Sequence, residues 1–219
     1  MDFKLPFIFA LAFSLICAIG FGLIGLIISD EKITNFDQTV ISFIQSFEHP
    51  TITRIMKVFT FIGGGVPVGI ITVISVLFLY KVLNHRMELV LLIGVTIGSA
   101  MINTVLKEIY HRSRPVIHRI IEETGFSYPS GHSMAAFSLY GVLAFLLWRH
   151  IKTSLGRTLL IIISSLMILL IGVSRIYLGV HYPTDVLGGF LASGSWLTIA
   201  IWFYQWFQEK RWERKRPGQ

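Results

Sequence analysis

Six apolar runs, each near the length that crosses a bilayer and joined by short polar stretches, constrain this chain more than anything else in it. They fall at about 5–28, 52–80, 87–110, 131–149, 157–178 and 182–208 of 219 residues. A backbone surrounded by hydrocarbon must satisfy its own hydrogen bonds, so each run is expected as a helix. Only 14% of the residues are charged, where a soluble domain carries about a quarter. The expectation is an all-α integral membrane protein: one domain over 1–219 with six transmembrane helices and no linker.

The first run lacks a small-residue cleavage site and reads as a retained anchor. The second carries Arg54 and Lys57 near its start, and Gly63, Gly64, Gly65 and Pro67 predict a break or kink inside it. Between these two, Ile33, Phe36, Val40, Phe43, Ile44 and Phe47 recur at helical spacing. That pattern predicts an outer amphipathic helix resting on the membrane surface. Cys17 is the only cysteine, which excludes an intramolecular disulfide.

Loop charge sets the orientation. The stretches Lys81–Arg86 and Arg149–Arg157 and the tail Lys210–Arg216 are rich in Lys and Arg and, with six spans, share one side. The positive-inside rule makes that side cytoplasmic, together with both termini. The tail then serves topology and contact with anionic lipid rather than nucleic-acid binding.

The opposite side holds 29–51, 111–130 and 179–181, and three polar clusters converge there: Lys107 to Pro115, Pro129–Ser130–Gly131–His132, and Ser174–Arg175 with His181 and Asp185. Lys107 and Arg114 stand seven apart, so both share a face if the third span stays helical to Pro115. Ser130 is a good N-cap, and the helix it opens offers free N–H groups to an anion, with Gly131 allowing close approach. His181 and Asp185 are four apart, so the carboxylate can hold the imidazole. Three cations drawn together repel by about 4 kcal/mol per pair at 4 Å in a medium of dielectric near 20, and only an anion reverses that sign.

A phosphoryl group fits this demand, and two histidines supply a nucleophile and an acid. The expected chemistry makes His181, held by Asp185, the nucleophile. His132 protonates the departing oxygen and then activates water. Lys107, Arg114 and Arg175 neutralise the equatorial oxygens with Ser130 and the Gly131 N–H. No metal or other cofactor is required, and Glu108, Glu122 and Glu123 form no evident ligand set. His111, Arg112, His118 and Arg119 read as solvated loop residues, and Tyr110, Phe126, Tyr128, Tyr177 and Tyr182 as an interfacial aromatic belt.

At these residues the chain resembles the type 2 phosphatidic acid phosphatase superfamily. The three motifs of that family, K-x6-R-P, P-S-G-H and S-R-x5-H-x3-D, are matched at Lys107–Pro115, Pro129–His132 and Ser174–Asp185. The resemblance implies a helical membrane lipid phosphatase that works without metal, a catalytic core over about 87–208, and an active site at the outer leaflet of the cell membrane. It further implies a substrate of the phosphatidylglycerophosphate kind, cleaved to phosphatidylglycerol through a phosphohistidine, with undecaprenyl pyrophosphate as the alternative. The expected partners are the lipid substrate and the bilayer, with no obligatory protein partner. A lipid-linked phosphotransferase would use the same intermediate. A lipid transporter is disfavoured, because the polar residues gather at one face and not at the midplane.

Overall fold

A computed structural model describes residues 4–28, 31–83, 86–116 and 118–214, and every regular element among them is helical. In chain order these are α1 (Lys4–Ile27), α2 (Glu31–Gln45), α3 (Pro50–Ile62), α4 (Gly65–Phe78), α5 (Arg86–Tyr110), α6 (Gly131–Trp148), α7 (Ser154–Tyr177) and α8 (Pro183–Arg214), with one π turn, Leu79–Leu83, extending α4. Five of them, α1 and α5 to α8, are long and apolar enough to cross a membrane. Helix α3 and the segment Gly65–Lys81 are together long and apolar enough for a sixth, with a bend of 57° between them.

The bend falls at Gly63 and Gly64. Gly63 closes α3, its N–H donating to the Phe59 carbonyl, and Gly64, whose N–H donates to the Phe61 carbonyl, opens α4 in an extended conformation. Pro67 sits within the first turn of α4, where its missing N–H removes no intrahelical bond. Residues Lys215 and Arg216 of the basic tail lie outside the described residues.

Helix α6 is central and packs against α5, α7 and α8, while α1 lies along α8. Leu92, Val95, Leu139, Val142 and Leu146 fill the α5–α6 side of the core and are fully buried. In lipid there is no hydrophobic drive between helices, so close packing and small polar contacts hold the bundle. Ser14 of α1 and Ser195 of α8 illustrate this, their hydroxyls 3.0 Å apart.

Helix α2 is present as expected; Ile33, Asp37, Ile41 and Ile44 form its packed face, whereas Phe36 and Phe43, with Phe47 just beyond it, point outward. One expectation changes here. Tyr128 and Tyr177 are buried and do not join an aromatic belt. Tyr128 donates to the Phe21 carbonyl at 3.0 Å, and the Tyr177 hydroxyl lies 2.9 Å from Thr53 Oγ1. Each phenol found a buried partner and so became core.

Candidate active site

The three polar clusters meet at one end of the bundle. Helix α7 ends at Tyr177, and Gly179 turns the chain back with φ 73°. A Cβ there would lie 1.9 Å from the His118 carbonyl oxygen, so the close approach of the outer loop requires glycine. The return puts His181 two residues before α8 and hydrogen-bonds its N–H to the Arg175 carbonyl at 3.3 Å. The Ser130 N–H donates to the Asp185 carbonyl at 3.0 Å, tying the start of α6 to the start of α8.

His181 is almost fully buried, and its two ring nitrogens face opposite charges. Asp185 Oδ2 is 3.3 Å from Nδ1, and Arg114 Nη1 is 3.0 Å from Nε2. A guanidinium can only donate, so Nε2 must offer its lone pair and Nδ1 must carry the proton. Burial, then the cations Arg175, Arg114 and Lys107, push the imidazole well below its ordinary value. The ring is therefore neutral at neutral pH, with a basic nitrogen aimed at the cations.

Arg114 is placed differently from the expectation. Helix α5 stops at Tyr110 because His111 adopts a left-handed φ of 47°, so Arg114 leaves the helix that carries Lys107. It still reaches the site, buried in the outer loop. Its remaining N–H groups go to the carbonyls of Gly125 (2.9 Å), Val180 (2.9 Å), Thr124 (2.9 Å) and Phe126 (3.3 Å). With four carbonyls and His181 as acceptors, Arg114 chiefly shapes the loop and aims the imidazole.

Arg175 is the cation with capacity to spare. It is buried at the end of α7 and donates through Nη1 to Thr60 Oγ1 at 2.6 Å and through Nη2 to Glu123 Oε2. Its Nε–H is buried with no acceptor among the described residues. Burial alone would raise the Glu123 carboxyl, but its bond to Arg175 and the charge of Arg114 hold it below the usual range. Lys107 is half-buried on the last turn of α5, within range of Arg114, Arg175, Glu123 and Asp185.

Ser130 caps α6 as expected, its Oγ accepting from the Ser133 N–H at 3.4 Å and the Ser133 hydroxyl at 2.9 Å. The first-turn N–H groups of Gly131 and His132 have no carbonyl of their own helix to meet. Gly131 is pressed against α5, where a Cβ would come within 2.9 Å of Asn103 Oδ1. His132 lies close enough for the charges of Arg175, His181, Glu123 and Lys107 to act on it. Its ring also borders a groove of about 680 Å³ between α4, α5 and α6, lined mostly by apolar groups such as Val68, Ile97 and Ala100.

Two side chains of consequence escaped the sequence reading. Arg112, expected in solvent, is largely buried and bridges Asp185 and Asp37 at 2.7 and 2.8 Å. Asp37 itself is fully buried. The available signal was an acid on the inward face of an amphipathic helix, in register with Ile33, Ile41 and Ile44.

Comparison with known proteins gives the family. Residues 88–212, more than half of the chain, match the PAP2 superfamily. Phosphatidylglycerophosphatase B of Bacillus subtilis is 32% identical over 167 residues, 74% of this chain and 80% of that protein. A putative undecaprenyl-diphosphatase of Escherichia coli is 31% identical over 123 residues, covering 53% of this chain and 57% of that one. The crystal structure of a transmembrane PAP2-type phosphatidylglycerolphosphate phosphatase from Bacillus subtilis superimposes with a TM-score of 0.79 at 30% identity, over 90% of this chain and 96% of that one. With its helical spans and its convergent histidines and cations, the chain belongs to the PAP2 superfamily and is a multi-pass membrane phosphatase.

Proposed function

We propose that the protein removes the terminal phosphate of phosphatidylglycerophosphate, giving phosphatidylglycerol, through a phosphohistidine on His181. The observation that carries this is the His181 ring: neutral, tautomer fixed, its Nε2 lone pair facing Arg114. In the first step that lone pair attacks phosphorus and displaces the Arg114 hydrogen bond. Asp185 keeps the Nδ1 proton and stabilises the positive charge that develops on the ring. His132 protonates the departing lipid oxygen. It then takes a proton from water, which attacks the phosphohistidine and releases inorganic phosphate.

Charge on the equatorial oxygens is met by Arg175, whose buried Nε–H lacks an acceptor, by Lys107, and by the Ser130–Gly131 helix start. The groove beside His132 is apolar and suits an acyl chain, so a lipid can lie in it with its phosphate at the histidines. Similarity to a phosphatidylglycerophosphatase over most of both chains favours this substrate. Similarity to a putative undecaprenyl-diphosphatase supports polyprenyl pyrophosphate as a second substrate. Exposed Arg149 and the basic α8 end at Lys210, Arg211 and Arg214 support a cytoplasmic location for that end and an extracytoplasmic active site.

Side-by-side phosphate release from phosphatidylglycerophosphate, phosphatidic acid and undecaprenyl pyrophosphate, in detergent with EDTA, tests the reading. The expected result is fastest turnover of phosphatidylglycerophosphate, unaffected by chelation. Loss of activity restored only by a divalent metal would contradict the chemistry, and a clear preference for the pyrophosphate would replace the substrate.

A further inference from the structure

A line of charged side chains runs from the surface helix α2 to the imidazole. Asp37 Oδ2 accepts from Arg112 Nη2 at 2.8 Å. Arg112 Nη1 donates to Asp185 Oδ1 at 2.7 Å, and the other oxygen of Asp185 faces His181 Nδ1. Thr184 closes the group: its hydroxyl accepts from Arg112 Nη1 at 2.7 Å and donates to Asp37 Oδ2 at 2.6 Å. Its N–H, in the first turn of α8, reaches Asp37 Oδ1 at 3.1 Å. The Arg112 guanidinium also lies over the Tyr182 ring, 4.1 Å from its centre.

The charges in this group are unequal. Two buried carboxylates share one guanidinium, leaving one surplus negative charge beside His181. When Nε2 bonds to phosphorus the imidazole gains positive charge, and that surplus lies on the correct side to receive it. A fully buried Asp185 without a cation would be costly to keep ionised. Arg112 supplies the cation, and Asp37 with Thr184 fixes the single placement from which it can serve both acids. Arg112 is bonded to Asp185 and not to the imidazole, so it acts through another residue.

We propose that Asp37 and Arg112 are positioning residues for the phosphatase reaction, holding Asp185 and through it the Nδ1–H form of His181. Helix α2 is thereby a working part of the active site as well as a membrane-surface element. This rests on His181 being the nucleophile, and the test is arranged to separate the two.

The test compares Arg112→Gln, Arg112→Lys, Asp37→Asn and His181→Ala in the full-length protein in detergent. Each is measured for kcat, KM, the pH profile of kcat/KM and the thermal unfolding midpoint. Arg112→Gln is expected to lose about 10- to 100-fold in kcat with KM within about twofold, as when a partner that orients a functional imidazole is removed. Its acid limb should move up. With the Arg112 charge gone, Asp37 and Asp185 act on His181 against Arg114, Arg175 and Lys107, with Glu123 and the neutral Tyr182 unchanged. Asp37→Asn removes a negative charge, so its acid limb should move down, with a smaller loss of kcat. Arg112→Lys keeps the charge but cannot bridge two acids, so it should lose kcat with little movement of the limb.

Shifts of opposite sign do not arise from loosened packing. Unmoved acid limbs in all variants, with kcat falling only as the unfolding midpoint falls, would overturn the proposal. Should Arg112→Gln fail to fold, the near-isosteric Asp37→Asn and the charge-conserving Arg112→Lys still decide it. A dead His181→Ala beside a fully active Arg112→Gln defeats the positioning role alone, whereas a fully active His181→Ala defeats the nucleophile and the proposal together.

Discussion

Arg175 and Arg149 both stand at helix ends, at opposite ends of the bundle. The Arg175 side chain is 2% exposed, bonded to Thr60 and Glu123, and retains a buried N–H without an acceptor. The Arg149 side chain is 55% exposed and only 3.9 Å from Glu88. A long contact from a solvent-exposed guanidinium is worth about 0–1 kcal/mol even to the buried Glu88, which His150 also approaches at 3.6 Å, whereas a buried charge is retained only with partners that repay its desolvation. On the proposed function, identical residues serve two ends: orientation in the membrane at one, and reception of an anion at the other.

Substitutions at the two ends should separate these roles, and the largest effect belongs to the nucleophile. His181→Ala should lower kcat by about 10⁴-fold or more, as when the covalent member of a catalytic group is removed. Residual turnover near wild type would break the comparison at once. His132→Asn should cost about 10²–10⁴-fold, the usual range for a proton-transfer group, seen in phosphate-release rates. Arg175→Lys keeps the charge but loses the planar fork, and about 10²–10³-fold in kcat is expected. In contrast, Arg149→Gln should leave turnover within about twofold and stability within about 1 kcal/mol.

Glu123 sharpens the comparison further. Its carboxylate is bonded to the guanidinium that the proposed function gives to the substrate phosphate. Glu123→Gln removes a repulsion of about 1 kcal/mol at 4 Å in a water-like medium, so KM should fall about fivefold with kcat little changed. A raised KM would instead make Glu123 a support for Arg175.

Acidity gives a separate check. Burial and three cations keep His181 from accepting a proton, so the acid limb of kcat/KM attributed to it should lie below the ordinary imidazole value of about 6.5. The same depression makes the unfolded chain the better proton acceptor. Stability should therefore fall as pH drops below about 6.5, and His181→Asn should flatten that dependence.

The spans were legible because lipid leaves the backbone few options, and the α3–α4 bend because three consecutive glycines lie inside one apolar run. The site was legible to the extent that histidines, cations and a carboxylate near helix ends have few other uses. What could not be read was pairing across distance. Arg112 meets Asp37 75 positions away, and nothing local distinguishes it from a solvated loop arginine. The left-handed turn at His111, which takes Arg114 off the helix of Lys107, is likewise set by the packing of the outer loop. Tyr128 and Tyr177 looked interfacial by type, and buried acceptors decided otherwise.

The central claim is that a phosphoryl group passes from lipid to His181 Nε2 before reaching water. A rapid-quench single turnover with lipid carrying labelled terminal phosphate addresses it most directly. The predicted result is transient protein-bound label, stable to base and lost in acid, on the fragment containing His181. Label on the fragment containing His132, or stoichiometric phosphate release with no labelled protein at any time point, would contradict it.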